Sequence, residues 1–261
     1  MIKIDSLNFS YSGEKNGFSL RNINLFIRRN EFTVILGPNG SGKTTLIKLI
    51  ARLLKPSSGN FYLNDKEYEK IPLRNFYKRV AYVPQKFDSI FPYTVFEILL
   101  MGRSPYFNLL GFESPQDLEK VENILDLLGL KKYRKKKVNE LSGGELQKVI
   151  IGRALVQDTE IILLDEPNTH LDLKHQITIF NILKEMIKQG KTIVAVTHDL
   201  NLSSFFADKV VFIKNGEIYS EGAPFEVMNE ENINNVFEVQ SKIFHIDSNS
   251  IPQISINPKD E

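Results

Sequence analysis

Three short apolar runs open the chain, Ile2 to Phe9, Leu20 to Ile27 and Phe32 to Leu36, separated by Gly13, Gly17 and the polar corner Arg28-Arg29-Asn30. Runs of this length between turn residues predict strands. After Gly42 the apolar residues Leu46, Leu49, Ile50, Leu53 and Leu54 fall at helical spacing, which predicts a helix over 43–54 stopped by the breaker Pro56-Ser57-Ser58-Gly59. The order is strand, glycine loop, helix. From about 86 to 158 helical segments dominate, near 94–102, 115–129 and 142–157, with no clear strand between them, so an inserted helical subdomain is expected. Alternation then resumes through Ile161 to Leu164, a helix over 173–188, Thr192 to Val196, a helix over 199–206, Val210 to Ile213 and Glu217 to Ser220. Such alternation implies crossovers and a largely parallel sheet covered by helices. Beyond Pro224 the pattern weakens, and 248–261 is polar and punctuated by proline.

Composition narrows the classes. The 261 residues carry 33 Lys and Arg against 32 Asp and Glu, a formal charge of +1, which argues against a nucleic-acid partner held by electrostatics. With 42% hydrophobic and 25% charged residues the chain can build a core. There is no cysteine, which excludes disulfides, thiolate metal sites and Cys nucleophiles. No apolar run reaches the ~18 residues of a spanning helix, and Met1-Ile2-Lys3-Ile4-Asp5 lacks a secretory apolar stretch, so any membrane role is expected to come through a partner. The basic run from Lys131 to Lys137 reads as a solvated loop, with acidic lipid headgroups as the alternative contact.

Chemistry enters with Gly37-Pro38-Asn39-Gly40-Ser41-Gly42-Lys43-Thr44, which fits G-x-x-x-x-G-K-[ST] after a predicted strand and before a predicted helix. Glycines let backbone N–H groups turn inward around an anion, and the helix N-terminus adds partial positive charge. Lys43 then reaches the β- and γ-phosphates and Thr44 offers a hydroxyl to Mg²⁺. The apolar run Ile161-Ile162-Leu163-Leu164 ends in Asp165-Glu166, the pair expected to supply a second Mg²⁺ ligand and a base for the attacking water. Leu141-Ser142-Gly143-Gly144-Glu145 opens a helix, and Ser142 with Glu145 also satisfies the S-x-x-E capping box.

Taken in order, these motifs resemble the ATP-binding subunits of ABC transporters over roughly residues 1–225. The resemblance implies an α/β fold: a P-loop NTPase core of RecA-like type, an N-terminal antiparallel β subdomain and an inserted α-helical signature subdomain at about 86–158, with 226–261 as an appendage of unassigned role. It makes Gly37 to Thr44, extended to Thr45, the Walker A loop, Leu141 to Glu145 the signature and Ile161 to Glu166 the Walker B segment. Tyr11 stands where the family places an adenine-stacking aromatic, Gln85 at its Q-loop, Asp172 at its D-loop and His198 at its switch histidine. The nucleotide-binding set implied is thus Tyr11, Gly37, Pro38, Asn39, Gly40, Ser41, Gly42, Lys43, Thr44, Thr45, Ser142, Gly143, Gly144, Glu145 and Asp172. Thr44, Gln85 and Asp165 become Mg²⁺ ligands, and Glu166, His198 and Gln85 the catalytic group. Three positions depart from the commonest pattern: Glu145 for Gln, Asn168 for Thr and Gly152 for Ala.

The same resemblance implies ATP as substrate and a composite site in a homodimer, the signature of one copy closing on nucleotide held by the other. It further implies permease subunits that dock near Gln85 to about Arg103, a region holding Phe87, Ile90, Phe91, Tyr93, Val95, Phe96 and Leu100. A substrate-binding protein would act indirectly, and the chain would lie at the cytoplasmic face of the cell membrane. Thr94-Val95 with Gly102-Arg103-Ser104-Pro105, together with Thr169-His170-Leu171-Asp172, looks like the importers of iron-siderophore, haem and cobalamin. Two other classes remain in view: a soluble ABC-type ATPase without a permease, and a nucleotide-binding regulator without turnover.

Overall fold

The computed structural model describes residues 1–11, 19–87, 91–108, 110–169, 171–245 and 251–257. In chain order these form β1 (Ile2–Ser10), β2 (Ser19–Ile27), β3 (Phe32–Leu36), α1 (Lys43–Ile50), β4 (Ser58–Leu63), β5 (Lys66–Glu67), α2 (Leu73–Tyr77), β6 (Val80–Val83), α3 (Val95–Met101), α4 (Pro115–Leu127) and α5 (Gly143–Val156). There follow β7 (Ile161–Asp165), α6 (Leu173–Lys188), β8 (Thr192–Val196), α7 (Leu200–Phe206), β9 (Lys209–Lys214), β10 (Glu217–Gly222), α8 (Pro224–Val227), α9 (Glu230–Phe237), β11 (Gln240–Phe244) and β12 (Gln253–Asn257). The chain divides into two compact units, Met1–Lys70 with Met186–Glu261, and Ile71–Glu185.

In the first unit β3 is buried at every position and runs parallel to β8 and β9, while β10 returns antiparallel on β9. A strand covered on both faces reads as a continuous apolar run, as Phe32 to Leu36 does. A second sheet, ordered β2-β1-β4-β5, is antiparallel, and its strands alternate buried and exposed positions because only one face meets the core. Ile2, Ile4 and Leu7 pair across to Ile27, Leu25 and Ile23, which fixes the register. The C-terminal segment belongs to this unit. Ile233 and Val236 of α9 are fully buried, the ring of Phe237 meets that of Phe212 edge-on at 6.2 Å, and β12 is clasped to α7 by a reciprocal pair, Asn201 Nδ2–H to Ile254 O (3.1 Å) and Ile254 N–H to Asn201 Oδ1 (2.8 Å).

The second unit pairs β6 with β7 in parallel and packs α3 and α4 on α5. Two glycines permit that packing. A Cβ on Gly102 would stand 2.2 Å from the carbonyl oxygen of Arg153, and one on Gly152 would meet Leu128 Cδ1 and Leu99 Cδ2 at 2.8 Å, which accounts for glycine where alanine is frequent. Arg103 ties the helices at their ends: its Nε–H donates to Asp117 Oδ1 at 2.7 Å, Nη1–H donates to the carbonyls of Val156 and Gln157 past the last turn of α5, and the guanidinium lies 3.9 Å from the Tyr106 ring centroid.

Most elements match the periodicity, but the stretch 58–83, left without elements by the pattern, holds β4, β5, α2 and β6. Gly59, expected to break the chain, instead lies inside β4 at φ 91°, where a Cβ would come within 2.6 Å of Leu7 Cα, so the glycine marks an irregularity in the pairing with β1. Helix α1 stops at Ile50 and not at 54: Arg52 turns left-handed (φ 56°), and the N–H groups of Arg52 and Leu53 donate to Leu49 O and Lys48 O, a Schellman ending.

Candidate functional site

In the first unit the loop 37–42 joins the buried β3 to α1. Gly40 (φ 80°) and Gly42 (φ 107°) take left-handed conformations that glycine adopts without cost, and a Cβ on Gly37 would lie 2.2 Å from Ile213 O. The turn closes with Ser41 N–H on Pro38 O (3.2 Å) and Gly216 N–H on Ser41 O (3.1 Å). Lys43 is buried, and its Nζ donates to the carbonyls of Gly37 (2.8 Å) and Pro38 (3.0 Å), so the ammonium is held inside the loop. Ser41 Oγ is buried with no hydrogen-bond partner among the described residues. A buried hydroxyl costs free energy until paired, so this cradle suits an oxyanion. Tyr11 packs edge-on against Phe9 and its hydroxyl reaches Thr45 Oγ1 at 3.3 Å, which puts an exposed aromatic ring beside α1.

The parallel register Ile35↔Val196 brings the carboxyl ends of β3 and β8 side by side. His198, exposed, therefore stands at the same end of the sheet as Gly37. It is carried on a short turn: Asp199 N–H donates to Thr197 Oγ1, and Asp199 Oδ1 caps α7 by accepting Leu202 N–H at 2.9 Å. Ligands of open α/β sheets bind outside such carboxyl ends.

In the second unit the register Val83↔Leu164 does the same for Gln85 and the Asp165-Glu166 pair. Asp165 is buried and accepts the Tyr82 hydroxyl at 3.2 Å; burial, and then the nearby Asp165 charge, push the Tyr82 phenol well above its ordinary pKa, so it remains a donor. Gln85 Nε2 donates to Glu166 Oε2 at 2.7 Å, across 81 residues of sequence. Asp172 opens α6: its Oδ1 accepts His175 N–H (2.8 Å) and meets His175 Nδ1 (2.7 Å), and these bonds lower its pKa. His170 lies outside the described residues.

The signature residues form the capping box that S-x-x-E spells. Ser142 Oγ accepts Glu145 N–H at 3.4 Å and Glu145 Oε2 accepts Ser142 N–H at 2.9 Å, leaving Ser142 and Gly143 exposed at the N-terminus of α5. A hydroxyl that accepts one bond still has a proton to give, so capping and anion binding are compatible in Ser142. Glu145 takes a further bond from Tyr133, and this, then the Ser142 N–H, holds its carboxyl at about 2. A Cβ on Gly144 would meet His175 and Leu171 at ordinary contact distance.

Two cations of the basic run are paired with carboxylates of their own unit. Lys131 pairs with Asp126 (3.0 Å) and Arg134 with Glu122 (2.7 Å), while Lys132 and Lys136 flank the Tyr133 ring. Of the apolar residues between Gln85 and Arg103, Val95 is core, Phe96 lies under Arg134 and Phe87 under Arg153, and Phe91 is 62% exposed. Ile90 lies outside the described residues. Sequence reasoning assigned no contact to Tyr82, Arg103 or Thr169: Tyr82 and Arg103 find partners distant in sequence, and the Thr169 hydroxyl reaches Glu166.

This geometry defines a P-loop nucleotide-binding ATPase of the ABC class. The family model described as ABC transporter matches residues 20–169, and the chain belongs to that family. It is 40% identical over 248 residues, 94% of each chain, to an uncharacterized ABC transporter ATP-binding protein, MJ0089, of Methanocaldococcus jannaschii. It is 39% identical over 243 residues, 93% of this chain and 87% of the relative, to the probable siderophore transport system ATP-binding protein YusV of Bacillus subtilis. Among solved structures, a putative metal-chelate type ABC transporter in an inward-facing conformation aligns with a TM-score of 0.85 at 27% identity, covering 99% of this chain and 98% of that one. A dimeric ATP-binding cassette with bound ADP and phosphate, also from an ABC family, aligns with a TM-score of 0.76 at 32% identity, covering 85% and 98%.

Proposed function

We propose that this chain is the ATP-hydrolysing subunit of an importer that takes up a metal chelate of the iron-siderophore, haem or cobalamin class through a separate permease. Similarity over most of the chain to a probable siderophore transport ATP-binding protein and to a putative metal-chelate type transporter supports the cargo class. The observation that carries the hydrolytic reading is Glu166 at the end of the buried β7, in reach of Gln85. A carboxylate at a strand end, oriented by an amide, suits a general base.

In this reading Gly37 to Thr45 hold the triphosphate of ATP and Lys43 turns from the Gly37 and Pro38 carbonyls to the β- and γ-phosphates. Tyr11 stacks on the base. Thr44, Gln85 and Asp165 would hold Mg²⁺, and the bound ion would supply charge neutralisation for the phosphates. Glu166 accepts a proton from the attacking water, and His198 donates to the γ-phosphate as charge builds on it.

Ser142 to Glu145 and Asp172 serve the nucleotide held by a second copy of the chain, so two copies sandwich two ATP molecules and separate after hydrolysis. The dimeric solved relative supports this partner. The permease partner and a peripheral place at the cytoplasmic face of the membrane follow from the transport reading. Among the described residues no helix is long and apolar enough to cross a membrane itself. A substrate-binding protein is proposed as an indirect partner.

The test is Glu166→Gln with Mg²⁺ and ATP. Phosphate release should fall about 10²- to 10⁴-fold with ATP still bound, and the variant should sediment as an ATP-dependent dimer. Near-wild-type release, or a species that stays monomeric at saturating nucleotide beside its permease, would overturn the reading.

A further inference from the structure

Glu166 has an unusual backbone for its residue type. Its φ of 49° is left-handed, a region that costs an L-residue about 1–2 kcal/mol. Conformations of that kind persist where the surroundings determine them. Two of the surrounding bonds come from one residue: Thr169 N–H donates to the carbonyl oxygen of Glu166 at 3.3 Å, closing the turn, and Thr169 Oγ1–H donates to Glu166 Oε2 at 3.1 Å. The same Oε2 receives Gln85 Nε2–H at 2.7 Å.

The two donors differ in setting. The Gln85 bond is exposed to solvent and spans 81 residues, whereas the Thr169 bond is part-buried and spans three, inside the turn that fixes Glu166 itself. An amide reaching in from a distant loop can be exchanged for other ligands, but a hydroxyl on the same turn moves with the carboxylate. We propose that Thr169 is a positioning residue for the base: its hydroxyl holds the Glu166 carboxylate in its rotamer and keeps it aimed when the Gln85 amide is drawn away to the nucleotide. The inference rests on the reading of Glu166 as general base. A turn residue without this role would hold the backbone through its N–H alone, and replacing its side chain would leave turnover unchanged.

The experiment is steady-state ATP hydrolysis by the full chain with Mg²⁺. Thr169→Val keeps the side-chain shape and removes the donor; kcat should fall about 10- to 100-fold, the range for losing a hydrogen bond to a charged group, with KM for ATP unchanged. Thr169→Ser should restore most of kcat, and thermal melts should show all variants folded at the assay temperature. In the Glu166→Gln background, Thr169→Val should cause no further loss, since the two act through one group. Wild-type kcat in Thr169→Val beside a slow Glu166→Gln overturns the positioning role alone, as does an equal loss from Thr169→Val in both backgrounds. Wild-type kcat in Glu166→Gln overturns the base reading and this inference with it.

Discussion

Replacing Arg103 with alanine should destabilise the protein more than loss of any exposed ion pair. Arg103 and Asp117 have side chains only 6% and 4% exposed, and their 2.7 Å bond is charge-assisted. In the variant Asp117 Oδ2 would keep the Ser114 N–H (2.9 Å) and hydroxyl (2.8 Å), but Oδ1 would lose its donor inside the unit. The carbonyls of Val156 and Gln157 would lose theirs as well, and Tyr106 the cation over its face. Breaking a buried pair by removing one partner costs about 3–5 kcal/mol, because an uncompensated charge stays behind. For a chain of this size that corresponds to a fall in the unfolding midpoint of about 10 °C. Far-UV circular dichroism with heating, repeated in urea, measures it. The double variant Arg103→Met with Asp117→Leu should recover part of the loss, short of wild type by about 1 kcal/mol because Asp117 also completes the capping box with Ser114. A single Arg103→Ala variant within about 1 kcal/mol of wild type would refute the account of these groups as a buried, mutually dependent network.

Gly37→Ala should abolish ATP binding, measured by equilibrium titration, since its Cβ would stand 2.2 Å from Ile213 O and the loop must move to admit it; wild-type affinity would show that the loop has slack there. Glu145 has its pKa depressed in the folded state to about 2, by Tyr133 and then Ser142, so the stability it adds is present above the unfolded carboxyl value of about 4.3 and disappears as pH falls toward 2. Stability against pH for wild type and Glu145→Gln should therefore converge between about pH 4.5 and 2 and separate above it; parallel curves throughout that window would contradict the assignment.

The Gly102-Arg103-Ser104-Pro105 stretch shows how a motif can report kinship without reporting chemistry. It points to the metal-chelate importers, yet in the fold Gly102 lets α3 approach the backbone of Arg153 and Arg103 binds the carbonyls at the end of α5. Neither residue is placed to touch a chelate. What the segment specifies in this chain is the packing of α3 against α5.

Much of the architecture could be read directly. Phe32 to Leu36 and Thr192 to Val196 are continuous apolar runs because both faces of those strands are covered, and the glycines at 40 and 42 are required by positive φ. The capping box at Ser142 and the N-cap at Asp199 are local as well, written within four residues of the bonds they make. Such features depend on neighbours in sequence, so the sequence alone determined the strand-loop-helix phosphate cradle and the amino ends of α5 and α7. Tertiary structure decided the rest: that Gly59 is a close approach inside a strand, that Gly152 admits Leu99 and Leu128, that Arg103 is buried, and that Gln85 and Thr169 converge on one oxygen of Glu166. The energies of those contacts come from burial and from donors supplied by remote segments, and no pattern confined to one stretch of chain encodes which remote group arrives.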